Sequence, residues 1–125
     1  MLLSKNGTIG ISRYIDWENT FSIFVSLCLI KPTKNILFGR YLAAYLKTAA
    51  AQRQLRQHAK TGTVTNLHLT EIRKILIPLP PIEDQREWEE MEATLLQRAE
   101  RQSRALINSE SLFSSLQSRA FSGQL

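Results

Sequence analysis

The chain has 125 residues, of which 43% are apolar and 22% are charged, and its formal net charge is +5. This length admits one modest globular core with an extended element rather than two independent domains. The composition excludes a disordered or fibrous chain, and the single cysteine, Cys28, excludes an intrachain disulfide and a thiolate metal cluster.

The charge is distributed unevenly on the two sides of the proline-rich stretch ILIPLPPIEDQ, residues 75–85. Residues 1–74 contain eleven Lys or Arg and three acidic residues, which is a net charge of +8, whereas residues 82–125 contain five Arg and eight acidic residues, which is −3. The first part therefore suits a polyanion such as nucleic acid. A solvated basic face without a ligand is the alternative that charge alone leaves open.

No segment has the length of a membrane span. The longest apolar stretch, residues 21–30, contains two serines and is far shorter than the roughly 20 residues that cross a bilayer. The first residues also lack the pattern of a secretory signal, so we expect a cytoplasmic protein.

Residues 7–32 are predicted to form strands. The segment GTIGISRYI combines β-branched residues with glycines typical of turns, and TFSIFVSLCLI places alternating apolar residues on one face from Phe21 to Leu29. Because the other face of the second run is also mostly apolar, that run is predicted to be a central strand, which Pro32 ends. Within it, Cys28 is expected to be a small buried hydrophobic residue.

A helix is predicted over residues 38–60, because apolar residues recur there at spacings of three and four while basic residues lie off the stripe. The polar sequence TGTVTN, residues 61–66, is typical of a loop. A short turn of helix over residues 70–74 and a strand over residues 75–78 are predicted to follow.

One long helix is predicted from residue 82 to about residue 122. Pro81 suits a first helical turn, Glu83 and Asp84 complement the helix dipole, and Gly123 is a natural stop. A helix of about 40 residues is roughly 60 Å long, so its imperfect heptad stripe should be covered by a partner. The residues that we expect to pack on a partner are Trp88, Leu95, Leu106, Phe113, Leu116 and Phe121. The predicted fold class is α+β, with a small mixed lobe followed by one long coiled-coil-like helix.

Motifs for catalysis are missing from the sequence. There is no phosphate-binding loop, and His58 and His68 have no carboxylate or cysteine near them at the spacing of metal ligands. A small metal-dependent nuclease would need a cluster of acidic residues in the basic lobe, and Asp16 and Glu18 alone are weak evidence for one. We therefore predict a non-catalytic protein and keep the nuclease as a testable alternative.

Five segments occur in an order that resembles a known family: KNGTIG, FVSLCLIKP, YLAAYLKT, TGTVTNLHLTEIRKILIPLPPIEDQ and the closing LQSRAFSGQL. Together they resemble the specificity subunit of type I restriction-modification enzymes over essentially the whole chain. The most specific parts are IPLPPIEDQ and AFSGQL, whose starts are spaced by about 40 residues.

The resemblance implies a DNA-reading subunit in which residues 1–81 are part of a target recognition domain and residues 82–125 are a spacer or dimerisation helix with a C-terminal tail. It implies double-stranded DNA and methyltransferase subunits as partners, a restriction subunit bound through them, and a second specificity half or a homodimer. S-adenosylmethionine, ATP and Mg are expected on the partner subunits and no cofactor on this chain. The residues expected to contact DNA are Lys5, Asn6, Thr8, Arg53, Arg56, Lys60, Thr61, Thr63, Thr65 and Asn66.

The chain departs from the family pattern in two ways. Full-length members have two recognition domains and two helical regions, whereas this chain matches one helix and the later part of one recognition domain, so we expect a partial or half-length subunit. Trp88 stands where the family usually has an aliphatic residue. A different class of function, a coiled-coil adaptor whose basic lobe reads no DNA, is the competing hypothesis.

Overall fold

The computed structural model describes residues 1–60, 62 and 64–125. Three short strands, β1 (Leu2–Ser4), β2 (Ser12–Arg13) and β3 (Leu27–Leu29), form an antiparallel sheet in the order β2-β1-β3. Four helices follow: α1 (Gly39–Tyr45), α2 (Ala49–His58), α3 (Leu69–Ile72) and α4 (Ile82–Phe121). This arrangement confirms an α+β fold with one long C-terminal helix.

The chain divides into two compact units, Met1–Glu89 and Glu90–Leu125. The first unit contains the sheet, three helices and the first turns of α4, and we call it the lobe. Its core consists of apolar side chains from the sheet, α1, α2 and the start of the segment before α3: Met1, Leu3, Cys28, Leu42, Ala43, Leu46, Ala51, Leu55 and Leu67. The burial of Cys28 inside β3 agrees with its predicted role as a small hydrophobic residue.

The predicted long central strand over residues 20–30 is wrong in both length and position. Only Leu27–Leu29 forms a strand, and it lies at the edge of the sheet because β1, which has only three residues and no periodic pattern, occupies the centre. The pairing with β1 ends at the bond from the Lys5 N–H to the Ser26 carbonyl, and the Leu27 N–H, which points away from β1, donates to the Phe24 carbonyl in a turn. An alternating pattern cannot form a strand where no neighbour supplies hydrogen bonds.

The predicted single helix over residues 38–60 is two helices. The Thr48 hydroxyl accepts a hydrogen bond from the Ala51 N–H at 3.3 Å and begins α2, while the Thr48 N–H donates to the Tyr45 carbonyl and closes α1. A threonine that caps the following helix stabilises a non-helical backbone at its own position, so the preceding helix cannot continue through it.

The predicted strand over residues 75–78 is also wrong, because its backbone bonds with side chains. Gln54 accepts from the Leu76 N–H at 2.9 Å and donates to the Leu76 carbonyl at 3.0 Å. The Tyr45 hydroxyl donates to the same carbonyl at 3.0 Å. One glutamine thus provides both the donor and the acceptor that a neighbouring strand would provide.

The long helix α4 begins and ends close to the predicted residues. Pro81 directly precedes it, Glu83 and Asp84 lie in its first turn, and Gly123 follows it with a φ of 73°. The Gln124 N–H donates to the Arg119 carbonyl, which is the bond of a helix end closed by a left-handed residue. Within the second unit, residues 93–125 are all exposed.

Candidate nucleic-acid interface

Two loops that are distant in sequence lie side by side in the lobe. The first loop, residues 5–10, joins β1 to the segment before β2, and the second loop, residues 60–66, follows α2. The Gly7 N–H donates to the Thr65 carbonyl at 2.9 Å, and the Leu67 N–H donates to the Lys5 carbonyl at 2.8 Å. These bonds make one surface from the two loops that were predicted separately to contact DNA.

The first loop is held in shape by two glycines and by α2. Gly7 and Gly10 have φ values of 70° and 87°, a conformation that side chains with a Cβ rarely adopt. The Gln52 amide of α2 donates to the Gly10 carbonyl at 2.8 Å, and a Cβ at residue 10 would lie 2.8 Å from the Gln52 side chain. The conformation of the first loop therefore depends on its contact with α2.

Three exposed basic residues lie on α2 and just after it, and we call them the basic face of α2. Arg53 and Arg56 are three residues apart and therefore lie on the same side of the helix, and Lys60 follows two residues after the helix ends at His58. Among the described residues none of the three is in an ion pair. Three cations without a carboxylate partner are well suited to bind phosphate oxygens.

Two other cations of the basic region are neutralised by acidic residues. Arg40 pairs with Asp16 at 3.0 Å, and Lys74 pairs with Glu71 at 2.9 Å. The hydrogen bond from Lys74 holds the pKa of the Glu71 carboxyl below its usual value. Between residues 40 and 74, the described cations that are in no ion pair are therefore the basic face of α2 together with Lys47 and Arg73.

The polar residues of the two loops differ in exposure. Thr8 is exposed, and Lys5, Asn6, Thr65 and Asn66 are half-buried. The amide oxygens of Asn6 and Asn66 are buried without a hydrogen-bond partner among the described residues, at the point where these two residues face each other across the loops. Thr61 and Thr63, which were also predicted to contact DNA, lie outside the described residues.

The two histidines and the acidic residues form no metal centre in the part of the chain that the structure describes. His58 contacts Glu71 with 3.2 Å between Nδ1 and Oε2, although no carboxylate lies near it in sequence. Asp16, the residue that the nuclease alternative requires, is engaged by Arg40.

The predicted partner-binding residues of α4 fall into two groups. Trp88 belongs to the lobe, where its ring packs edge-on against Tyr41 with 5.7 Å between ring centroids. The remaining five are exposed in the second unit: Leu95, Leu106, Phe113, Leu116 and Phe121. Trp88, where the resemblance led us to expect an aliphatic residue, thus makes an aromatic contact inside the lobe.

Gln85 is an anchoring residue that the sequence reasoning missed. Its side chain is fully buried, accepts a hydrogen bond from the Phe38 N–H at 2.9 Å, and donates to the carbonyls of Ile36 at 3.0 Å and Pro80 at 2.9 Å. These bonds attach the first turn of α4 to the segment before α1. The sequence could have indicated this role, because Gln85 lies three residues from both Ile82 and Trp88 and so shares the inner face of the helix with them.

A model of the family described as the type I restriction modification DNA specificity domain matches residues 1–107. No curated protein and no solved structure gives a significant match to the chain. Over the described residues, none of the helices has the length and apolar character needed to cross a membrane.

Proposed function

Because the chain belongs to the family of type I restriction-modification DNA specificity domains, we propose that its lobe reads one half-site of a bipartite DNA target and that α4 docks methyltransferase subunits. The observation that carries the first part is the surface made by the two joined loops together with the unpaired basic face of α2.

The basic face supplies affinity in this proposal. Arg53, Arg56 and Lys60 bind phosphates along one strand, and this contact is independent of sequence. The loops supply selectivity, because side chains of Lys5, Thr8 and the second loop carry donors and acceptors that can meet base edges in a groove. The main-chain bonds between the loops keep these side chains at fixed separations.

The exposed stripe of α4 supplies assembly. Leu95, Leu106, Phe113 and Leu116 have exposed fractions between 46% and 67%, and apolar side chains on a helix of this length are stable only when another helix or surface covers them. In this proposal, methyltransferase subunits cover the apolar side chains of α4, and a restriction subunit binds through them. A second specificity half or a homodimer then provides the reader of the other half-site. S-adenosylmethionine, ATP and Mg are assigned to the partner subunits, and no catalytic role to this chain.

DNA binding is tested by fluorescence anisotropy of the full chain with a labelled mixed-sequence duplex over a series of salt concentrations. Each phosphate contact contributes about −0.9 to the slope of log K against log salt, so Arg53→Ala with Arg56→Ala should make the slope less negative by about 1.8. Lys31→Ala with Lys34→Ala, which also removes two exposed positive charges but lies before α1 in the sequence, is the control and should leave the slope nearly unchanged. A parent slope near zero, or equal slopes for the double variant and the parent, would refute phosphate binding at α2.

Half-site reading needs a separate measurement because phosphate contacts carry no sequence information. Selection from a randomised duplex library should enrich one short motif with the parent chain, and Thr8→Val should change that motif without changing the salt slope. Enrichment of no motif would contradict base reading and favour the adaptor alternative, for which the exposed stripe of α4 is the supporting observation.

Docking is tested by co-elution of the full chain with a type I methyltransferase subunit. Phe113→Asp with Leu116→Asp should abolish co-elution, whereas Ser114→Asp with Gln117→Asp, on the polar side of the same turns, should preserve it. Loss of co-elution with both pairs, or with neither, would contradict docking through the apolar stripe.

A further inference from the structure

The outer edge of β3 is an unpaired sheet edge. The Met1 amino group donates to the Ile30 carbonyl at 2.9 Å and the Ile30 N–H donates to the Met1 carbonyl at 2.9 Å, so these two residues form a hydrogen-bonded pair. The next pair, Leu2 with Leu29, is therefore a non-hydrogen-bonded pair of the antiparallel ladder. The N–H and carbonyl of Leu29 point away from β1, toward the side of the sheet on which no strand lies among the described residues.

A groove of about 500 Å³ lies beside this edge, on the core side of the sheet. Its floor is made of core side chains, including Leu3, Leu42 and Leu55, and its walls are β3 on one side and the segment from α3 to Ile77 on the other. A strand added beside β3 would place every second side chain over the same core, because side chains alternate between the two faces of a sheet. The groove thus lies where the inward side chains of such a strand would pack.

Two cations, Lys31 and Arg73, line the groove. Both are exposed, and neither is in an ion pair with any described residue. The groove is therefore complementary to an apolar segment that carries a carboxylate. A second copy of the lobe is a poorer match, because two sequences with a net charge of +8 over residues 1–74 repel each other at close approach.

We propose that the outer edge of β3 and the adjoining groove bind an extended segment of another polypeptide by strand addition, with alternating apolar side chains in the groove and an acidic residue beside Lys31 and Arg73. The Leu29 N–H and carbonyl form main-chain bonds with the added strand, as in other cases of strand addition. The Leu29 carbonyl has a long 3.8 Å contact with the Cys28 thiol, a weak donor that an amide N–H can replace.

The test uses the full chain and a defined probe, the fluorescein-labelled peptide ETVTVTV with blocked ends, in which the glutamate and the three valines share one face of a strand. Anisotropy measures its affinity, and the amide chemical shifts of Leu29 and Lys31 report where it binds. A peptide with threonine in place of each valine should bind at least about tenfold more weakly, since three apolar side chains are lost from the groove.

Two variants separate strand addition from simple adsorption. Leu29→Pro removes the outward N–H without removing any bond to β1 and should weaken binding at least about tenfold, whereas Leu29→Ala keeps the N–H and should bind close to the parent. Arg73→Glu should weaken binding of the acidic peptide about fivefold, and the peptide KTVTVTV should bind this variant more tightly than the parent. Lys34→Glu, outside the groove lining, is the control for charge reversal.

The proposal is supported if the peptide shifts the Leu29 and Lys31 amides and if both Leu29→Pro and Arg73→Glu weaken binding. Failure of the peptide to bind, or equal binding to the Leu29→Pro and Leu29→Ala variants, overturns it. Shifts of the same two amides that grow with protein concentration in the absence of peptide also overturn it, because they assign the groove to a second copy of this chain. Since no DNA is present, none of these outcomes depends on the proposed reading of a half-site.

Discussion

Replacement of Gln85 by leucine is expected to destabilise the lobe by about 3 kcal/mol. The change removes three hydrogen bonds, to Phe38, Ile36 and Pro80, at about 1 kcal/mol each, and leaves a buried N–H and two carbonyls without their partner. The gain in apolar surface is small by comparison because the two side chains are similar in size. Because these bonds attach α4 to the segment before α1, we expect the loss to appear in unfolding of the lobe.

Urea denaturation of the full chain, followed by tryptophan fluorescence, measures this loss, because Trp88 packs on Tyr41 one turn of helix from Gln85. The matched control is Gln97→Leu, the same chemical change at an exposed position of the same helix, where the effect should stay within about 0.5 kcal/mol. A loss below about 1 kcal/mol for Gln85→Leu would show that the three bonds contribute little beyond those that water makes.

Gln85→Glu provides a second readout with a defined sign. A carboxylate at this position can accept from the Phe38 N–H but faces the carbonyls of Ile36 and Pro80, so burial and these oxygens should raise its pKa above the ordinary value. Stability of this variant should therefore be greatest in acid and fall as the pH rises through that pKa. A variant whose stability rises with pH over the same range would contradict the geometry.

Three further predictions concern individual contacts in the lobe. Lys74 holds the pKa of Glu71 below its ordinary value of 4.5, so the pair stabilises the fold above that pH and the stabilisation is lost as pH falls through the folded-state pKa. Glu71→Gln should accordingly unfold at lower urea than the parent at neutral pH and converge with it in acid, and a pH-independent difference would disprove the linkage. Thr48→Ala, which removes the cap of α2, should cost about 1 kcal/mol in the same assay, with Thr48→Ser as a near-neutral control. Gly10→Ala should cost about 1–2 kcal/mol, because its φ of 87° is left-handed and the new Cβ displaces Gln52; an unchanged midpoint would refute that strain.

Local signals in the sequence predicted the parts of the fold that depend on neighbouring residues. Pro81 and Gly123 gave the ends of α4 because both act through the backbone of adjacent residues. The errors concern pairing between distant segments. Three residues of β1 are too few to show a period, and the extended chain at Leu76 differs from a strand only because Gln54 bonds to it.

The candidate interface was predictable as residue types but not as an arrangement. Turn-forming composition indicated both loops, and spacing placed Arg53 and Arg56 on one helix face. Their assignment to DNA contacts stays a prediction. The sequence contained no sign that Asp16 pairs with Arg40, because ion pairs between distant segments depend on the fold, and therefore it overstated the extent of the unpaired basic region.

The bonds between the two loops have a consequence for how a lobe with the proposed function can change over time. Both the Gly7–Thr65 and the Lys5–Leu67 bonds join main-chain atoms, so most substitutions at the exposed positions between them leave the frame intact. Under the proposed reading of DNA, new preferences for bases would arise by single side-chain replacements, with the core and the attachment of α4 through Gln85 unchanged. A scaffold of this kind separates the evolution of target choice from the evolution of stability.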